Sequence, residues 1–207
     1  MKKNITEKNL VSQIWLRPTE TLNFIIKICP QKYVTLLIVL GGLVNSLDKA
    51  FTRSSNADKT LIEVLPIAIV LGLLLGWITY YMYAFVLSIA GEWIGGKSQP
   101  KEFRTIIGWA LIPLISTLIL LIPQVLIFGD DLLLEDYDNE SVLLTMTYLG
   151  FLILEFVLGI WSLIIFVKGI MIIQGFGLGK SILNMILPGL MILVPILLVF
   201  WISQIAY

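Results

Sequence analysis

The stretch LGFLILEFVLGIWSLIIFVKGIMII, residues 149–173, has only two charged side chains, Glu155 and Lys168. A helix needs ~20 mostly apolar residues to cross the hydrocarbon core of a bilayer, where its backbone must be hydrogen-bonded internally. The stretch therefore predicts a transmembrane helix, and an extension back to Val142 fits the same pattern. Four further stretches have the same apolar character and are predicted to span the membrane: residues 33–47, 64–90, 106–128 and 182–205.

The composition of the whole chain agrees with a membrane protein. Hydrophobic residues make up 58% of the 207 residues and charged residues 14%, whereas soluble domains carry about 25% charged residues. The predicted fold is all-α, a polytopic membrane helical bundle of five transmembrane helices at residues 33–207, preceded by a cytoplasmic N-terminal segment at residues 1–32. The expected partners are the lipid bilayer and a membrane or cytoplasmic protein. The zero net charge gives no indication of nucleic acid binding.

The residue types that most often carry catalysis or bind metals are scarce. The chain has no histidine and one cysteine, Cys29, so the commonest metal ligand and the commonest general base are missing. The predicted spans contain no pair of aspartates and no nucleophile beside a base. We therefore expect no enzyme activity, no metal site and no cofactor.

Basic residues are distributed unequally between the two sides of the predicted bundle. Eleven of the fourteen Lys and Arg residues lie on the side of the N-terminus, and cytoplasmic loops carry such an excess. This predicts a cytoplasmic N-terminus, a C-terminus outside, and an acidic outer loop at residues 130–140. The expected location is a bacterial inner membrane, or the endoplasmic reticulum or Golgi in a eukaryote.

The segment before the first span has the pattern of an amphipathic helix. Pro18 suits the first turn of a helix, Leu22 and Ile25 recur at helical spacing, and Pro30 ends the pattern. Two placements fit these residues. The helix lies on the inner surface of the membrane, or it packs against the cytoplasmic end of the bundle.

Two glycine-rich stretches look like phosphate-binding loops. Residues 91–98, GEWIGGKS, fit the pattern G-x-x-x-x-G-K-[ST], and residues 174–181 repeat its ending with Gln174 in place of the first glycine. The motif binds phosphate when a strand precedes the loop, but a predicted membrane span precedes the first stretch. We interpret both as inner loops that pack closely at helix ends and bind no nucleotide.

Glu155 is the one carboxylate well inside a predicted span. Burying an acid in the membrane is costly, so a functional role, binding a proton or a cation, is the default interpretation. The alternative is a protonated side chain that holds a helix contact through a hydrogen bond. Lys168 is too far along the same helix to pair with it. A partner is therefore expected from another helix, with three candidates: Thr79, Tyr80 and Tyr81.

The second span contains a G-x-x-x-G pattern formed by Gly72 and Gly76. Small residues at this spacing let two helices approach closely, and we expect this contact within the monomer. The oligomeric state itself is not indicated by the sequence. Prolines remove a backbone donor and are expected to kink the third and fifth spans: Pro113, Pro123, Pro188 and Pro195.

Three landmarks follow one another along the chain. The first is the Trp15-x-x-Pro18 entry to the amphipathic helix. The second is the glycine loop, which runs through Phe103-Arg104 into a span with Pro113. The third lies at the end of the fourth span and in the loop after it. The motif positions of these landmarks are Pro18, Gly91, Gly95, Gly96, Trp161, Lys168, Gly169, Gly175, Phe176 and Lys180.

In this order and spacing the landmarks resemble the Yip family, the Ypt/Rab-interacting membrane proteins, in its short prokaryotic-type form. The resemblance extends over about residues 10–202. It implies five membrane passes with a cytoplasmic N-terminus, in agreement with the basic residues. Eukaryotic members of the family are linked to Rab-family GTPases and vesicle traffic. Many relatives have histidine where this chain has Gln174.

Two functional hypotheses follow. The leading one is a non-enzymatic membrane protein that organises membranes or recruits partners at its cytoplasmic face, formed by the glycine loops with Lys97, Lys101, Arg104 and Lys180. The alternative is a transporter of small solutes, ions or protons that uses Glu155 and the helices that contain proline. The alternative requires Glu155 to face a polar cavity in the bundle.

Overall fold

The computed structural model describes residues 5–54, 59–134 and 141–205. Four acidic residues of the predicted outer loop lie outside the described residues: Glu135, Asp136, Asp138 and Glu140. A 3₁₀ turn, Gly129–Leu133, follows α7. The α-helices are α1 (Leu10–Leu16), α2 (Pro18–Ile28), α3 (Val34–Ser54), α4 (Leu61–Trp93), α5 (Pro100–Ala110), α6 (Ile112–Ile115), α7 (Thr117–Phe128), α8 (Val142–Gln174) and α9 (Leu178–Ile205).

Four segments of the described chain are long and apolar enough to cross a membrane: Val34–Ser54, Leu61–Trp93, Ile112–Leu133 and Val142–Gln174. The last helix, α9, has 28 residues and a length of about 42 Å, which exceeds the ~30 Å hydrocarbon core. Its first part, Leu178–Met191, is a shorter apolar segment. The prediction of an all-α polytopic membrane bundle is confirmed.

The third span, predicted for residues 106–128 with a kink at Pro113, is divided into three helices. Pro113 lies at the start of the short helix α6, and its missing backbone N–H interrupts the helix at Leu111, between α5 and α6. A second interruption at Ser116 separates α6 from α7. The hydroxyl of Ser116 donates to the Pro113 carbonyl at 2.5 Å, and the membrane-crossing part becomes Ile112–Leu133. The other predicted prolines lie inside helices without ending them: Pro123 in α7, and Pro188 and Pro195 in α9.

The core of the bundle forms around α5, which contacts α2, α3, α4 and α8. Its side chains Phe103, Ile106 and Trp109 are fully buried. Gly169 of α8 faces this helix, and a Cβ at that position would lie 2.8 Å from the Cβ of Ile106. The glycine thus permits α8 to approach α5 closely.

The N-terminal helices pack on the protein itself. Leu22 and Ile25 of α2 are fully buried in the core together with Leu10 and Ile14 of α1, and α2 contacts α5 and α8. Two placements were open to the amphipathic helix, and in the structure its apolar face packs against the end of the bundle. A membrane-surface helix would leave these side chains in lipid.

Helices α3 and α4 cross at glycines. A Cβ on Gly76 would lie 2.5 Å from the Cα of Gly42, and one on Gly72 would lie 2.8 Å from the Cα of Leu43. Nearby, the hydroxyl of Ser46 donates to the carbonyl of Ala68 at 2.8 Å. Both glycines of the G-x-x-x-G pattern therefore meet a helix of the same chain.

Candidate functional site

Both glycine-rich loops lie at the same end of the bundle as α2, which we call the glycine-loop end. The loop after α4 turns at Gly95, whose φ of 92° is a left-handed conformation that favours glycine. The N–H of Gly96 then donates to the carbonyl of Gly91 at 2.8 Å. Helix α8 ends in the same way at Gly175, whose φ is 67°, so each loop leaves its helix abruptly.

Gln174, the last residue of α8, joins these loops. Its Oε1 accepts the backbone N–H groups of Lys97 at 2.8 Å and of Ser98 at 3.0 Å. Its Nε2 donates to Oδ1 of Asn184 in α9 at 3.4 Å, and the fully buried Asn184 donates to the carbonyl of Leu87 in α4 at 3.0 Å. One side chain thus connects α8, α9 and the loop after α4.

Ser98 adds two further bonds to this group. Its hydroxyl donates to the carbonyl of Ile173 at 2.6 Å, and its carbonyl accepts the hydroxyl of Ser88 at 2.7 Å. Buried polar groups stabilise a structure when each is paired. We call the residues that make these bonds the Gln174 cluster: Ser88, Lys97, Ser98, Gln174 and Asn184.

Two of the family-like glycines make room for the cluster. A Cβ on Gly91 would collide with Nε2 of Gln174, and a Cβ on Gly96 would collide with its Oε1. The spacing that resembles a phosphate-binding loop therefore encloses a glutamine side chain. Because the Lys97 and Ser98 amides already donate to Gln174, and because a helix precedes the loop, the geometry favours the structural interpretation of this motif.

The predicted motif positions divide into two groups. Phe176 and Lys180 lie next to the cluster: the Lys180 ammonium is 5.6 Å from the Phe176 ring centre and donates to the carbonyl of Ile94 at 3.5 Å. Gly91 and Gly96 face the Gln174 side chain, so the first group includes them, and the other positions lie outside it. Pro18 is the first residue of α2, Trp161 packs on the core, and Lys168 is half-buried in α8.

The basic residues at the glycine-loop end are not equivalent. Lys97 and Lys101 are exposed, whereas the Arg104 guanidinium lies 4.7 Å from the Tyr81 ring centre and is half-buried. Two apolar side chains at this end are exposed as well: Trp93 at the end of α4, at 65%, and Leu178 at the start of α9, at 59%. The exposed surface therefore combines positive charge with apolar area.

Glu155 lies near the opposite end, where its partner is Gln124 of α7. The Nε2 of Gln124 donates to Oε1 of Glu155 at 2.9 Å. The expectation that Thr79, Tyr80 or Tyr81 would pair with it is wrong. Tyr80, for example, donates to the carbonyl of Gly41 in α3. Helix α7 contacts α8, and its buried Gln124 brings an amide to the carboxylate.

Glu155 lines a cavity of about 610 Å³ between α3, α7 and α8, which we call the acidic cavity. Asp48 of α3 lines it too and is exposed to it. Its other polar residues are Thr52, Thr117, Gln124 and Tyr148, and its apolar residues are Val44, Leu47, Phe51, Leu114, Leu118, Leu121, Leu132, Leu134 and Leu152.

Sequence reasoning missed Asp48 and Gln174. The first span was predicted to end at residue 47, but α3 continues to Ser54 and so includes Asp48. The available signal was the helical spacing of four residues that share the cavity wall: Val44, Leu47, Asp48 and Phe51. For Gln174 the signal was a polar side chain at the end of an apolar helix, directly before a glycine.

Comparisons with known proteins agree with this architecture. A family model described as the Yip1 domain matches residues 12–200, nearly the whole chain. No curated protein and no solved structure matches the chain. The resemblance drawn from the landmarks is thus confirmed, and the chain belongs to the Yip family of membrane proteins.

Proposed function

We propose that the chain recruits a protein partner or organises the membrane at its glycine-loop end, without catalysing a reaction. The observation that carries this proposal is the exposed Trp93 at the end of α4 together with the exposed Lys97 in the next loop, whose backbone Gln174 holds in place. Aromatic side chains with a polar rim are enriched where proteins bind one another. A loop already ordered before binding loses less conformational entropy when a partner arrives.

We place this end in the cytoplasm, with the C-terminus on the other side. The excess of basic residues supports this orientation. The exposed lysines Lys97 and Lys101 would then face the anionic lipid headgroups of the inner leaflet, to which each contributes about 1 kcal/mol of attraction. The host membrane is a bacterial inner membrane, or the endoplasmic reticulum or Golgi in a eukaryotic cell.

The test is site-specific photo-crosslinking in living cells. A photoreactive amino acid replaces Trp93, and a matched control places it at Leu126, which is 81% exposed near the other end of the bundle. We expect one reproducible protein adduct from position 93 and none from position 126. The adduct from position 93 should be lost in the variant K97E/K101E. A folded protein that gives no adduct at position 93 contradicts the proposal.

A second candidate function is transport of a small solute, an ion or a proton through Glu155. The acidic cavity favours it, because Glu155 faces a space lined by other polar groups rather than lipid alone. Ionisable residues inside membrane spans often mark the path of a substrate. The two candidates use opposite ends of the molecule and can be tested separately.

Flux across proteoliposomes tests the second candidate. Ion and proton flux is compared between the purified wild type and Glu155→Gln, which keeps the shape of the side chain and removes its charge. Asp131→Asn, in the exposed 3₁₀ turn outside the cavity, is the matched control. Flux that disappears only in Glu155→Gln supports transport. No flux from correctly folded and oriented wild type rejects it.

A further inference from the structure

We infer that the acidic cavity binds an organic ammonium ion, with the charged head between Asp48 and Glu155 and the apolar body against the leucines. This names a substrate class for the second candidate function and depends on that function for transport, though not for binding.

The cavity has the size and lining of a small-molecule site. Its volume of about 610 Å³ is within the ~300–1,000 Å³ usual for such sites, which are mostly apolar with a few polar groups that fix orientation. Most of the residues that line it are apolar, and the polar ones come from three helices. A ligand that fits this wall needs an apolar body as well as a polar head.

The charge of the wall determines the sign of that head. Among the described residues that line the cavity there are two carboxylates and no lysine or arginine. Asp48 and Glu155 both line the cavity, so two carboxylates face one space without a basic partner among the described residues of its wall. Within membrane-spanning helices such charges are costly unless a positive group compensates them. A cation in the cavity supplies that compensation.

An ammonium ion fits better than a metal ion. Ca²⁺ takes 6–8 oxygen ligands, whereas the described residues contain no group of three or more His, Cys, Asp or Glu that could hold a metal. The rings of Phe51 and Tyr148 line the same wall, and aromatic faces attract ammonium groups. A primary ammonium has three N–H donors, which two carboxylates and the Gln124 carbonyl oxygen can accept.

The probe for this site is benzylamine, and its neutral isostere benzyl alcohol is the matched ligand control. Binding is measured by calorimetry on the full chain in phosphatidylcholine nanodiscs. Glu155→Gln and Asp48→Asn remove one charge each, and Asp131→Asn removes a charge outside the cavity. Size-exclusion profiles check that every variant is folded. We expect each cavity variant to bind benzylamine at least about ten-fold more weakly, the loss expected for one charge-assisted bond.

The source of the ammonium group is tested in a second arm with phosphatidylethanolamine in the nanodisc. Competition with benzylamine would identify a lipid headgroup as the occupant, and absence of competition would identify a free amine. Both results support the inference. It is overturned if neither benzylamine nor the lipid binds, if benzyl alcohol binds equally well, or if the cavity variants bind like the wild type.

Binding and transport can fail independently in these experiments. Benzylamine that binds through Asp48 and Glu155 but is not carried across proteoliposomes keeps the inference and rejects transport of amines, while the flux assay decides ion and proton transport. A proton flux that requires Glu155 in a protein that binds no amine keeps transport and rejects the inference.

Discussion

Oε1 of Gln174 lies 2.8 Å from the backbone nitrogen of Lys97, and this hydrogen bond joins the end of α8 to the loop after α4. The two residues are far apart in sequence, and each belongs to one of the two glycine-rich stretches that resemble phosphate-binding loops. The contact explains two glycines of the first stretch: Gly91 and Gly96 both face the Gln174 side chain, which a Cβ at either position would displace. It also means that the shape of the exposed loop depends on one residue that is itself only half-buried.

Removing the Gln174 side chain should destabilise the protein. Gln174→Ala leaves the N–H groups of Lys97 and Ser98 without their acceptor. Ser98 is buried, and a buried donor left unpaired costs about 1–3 kcal/mol. Gln174→His keeps one ring nitrogen as an acceptor and should fall between alanine and the wild type. The measurement is the free energy of unfolding in mixed micelles. Gln31→Ala is the control, because that exposed amide contacts only its neighbour Pro30. Equal stability of Gln174→Ala and wild type would contradict the role of the cluster.

Gly96→Ala should act through the same bonds. A Cβ at Gly96 collides with Oε1 of Gln174, so the glutamine must turn away and give up its contacts. The loss of stability in the double variant G96A/Q174A should be clearly smaller than the sum of the two single losses, which a double-mutant cycle measures. Gly179→Ala is the matched control, since its Cβ would meet nothing within 4 Å. Additive losses would show that Gly96 and Gln174 are independent.

The crossing of α3 and α4 predicts that replacing Gly76 destabilises the protein. A Cβ there would lie 2.5 Å from the Cα of Gly42, and backbone cannot turn aside as a side chain can. Gly76→Ala should therefore separate the helices and cost about 1–3 kcal/mol, measured as a lower temperature of aggregation in detergent. Gly150→Ala in α8, where nothing lies within 4 Å, should have little effect. Similar behaviour of the two variants would mean that α3 and α4 do not meet at these glycines.

The sequence predicted what depends on local composition and missed what depends on contacts between helices. Apolar runs located the spans, because hydrocarbon requires ~20 residues of helix wherever the chain crosses. Asp48 was missed because its charge interrupts the apolar run, although α3 continues past it. The partner of Glu155 was missed because Gln124 lies on a different helix, and tertiary packing decides which residues of α7 and α8 meet.

Alanine substitutions in α2 can distinguish packing on the bundle from a location on the membrane surface. Leu22 is fully buried, so Leu22→Ala should lower the free energy of unfolding by about 2–5 kcal/mol. Ile28 on the same helix is 60% exposed, and Ile28→Ala should change it little. If α2 lay with its apolar face in lipid, Leu22→Ala would instead reduce membrane affinity and leave the stability of the bundle unchanged.

Cys29 reports on the attachment of the N-terminal segment through its reaction with iodoacetamide. Burial is the main cause that raises the pKa of the Cys29 thiol, the nearby Glu7 charge raises it further, and Lys32 lowers it. Only the thiolate reacts. Because the pKa of Cys29 is raised, its alkylation rate should increase at a higher pH than that of a thiol with the ordinary pKa. The rate is followed by mass spectrometry over about pH 7 to 10, and the chain's single cysteine makes the product unambiguous.

Glu7→Gln should move this pH profile back toward lower pH. The change removes a charge that opposes the thiolate, and it frees Lys32 from its ion pair with Glu7. Glu20→Gln, which removes an acidic group paired with Arg17 on α2, should leave the profile unchanged and serves as the control. An identical profile for Glu7→Gln and wild type would mean that Glu7 is not beside Lys32. The segment before α1 is also packed on the core through Ile5, so the Glu7–Lys32 ion pair is a second contact, which joins this segment to the turn before α3.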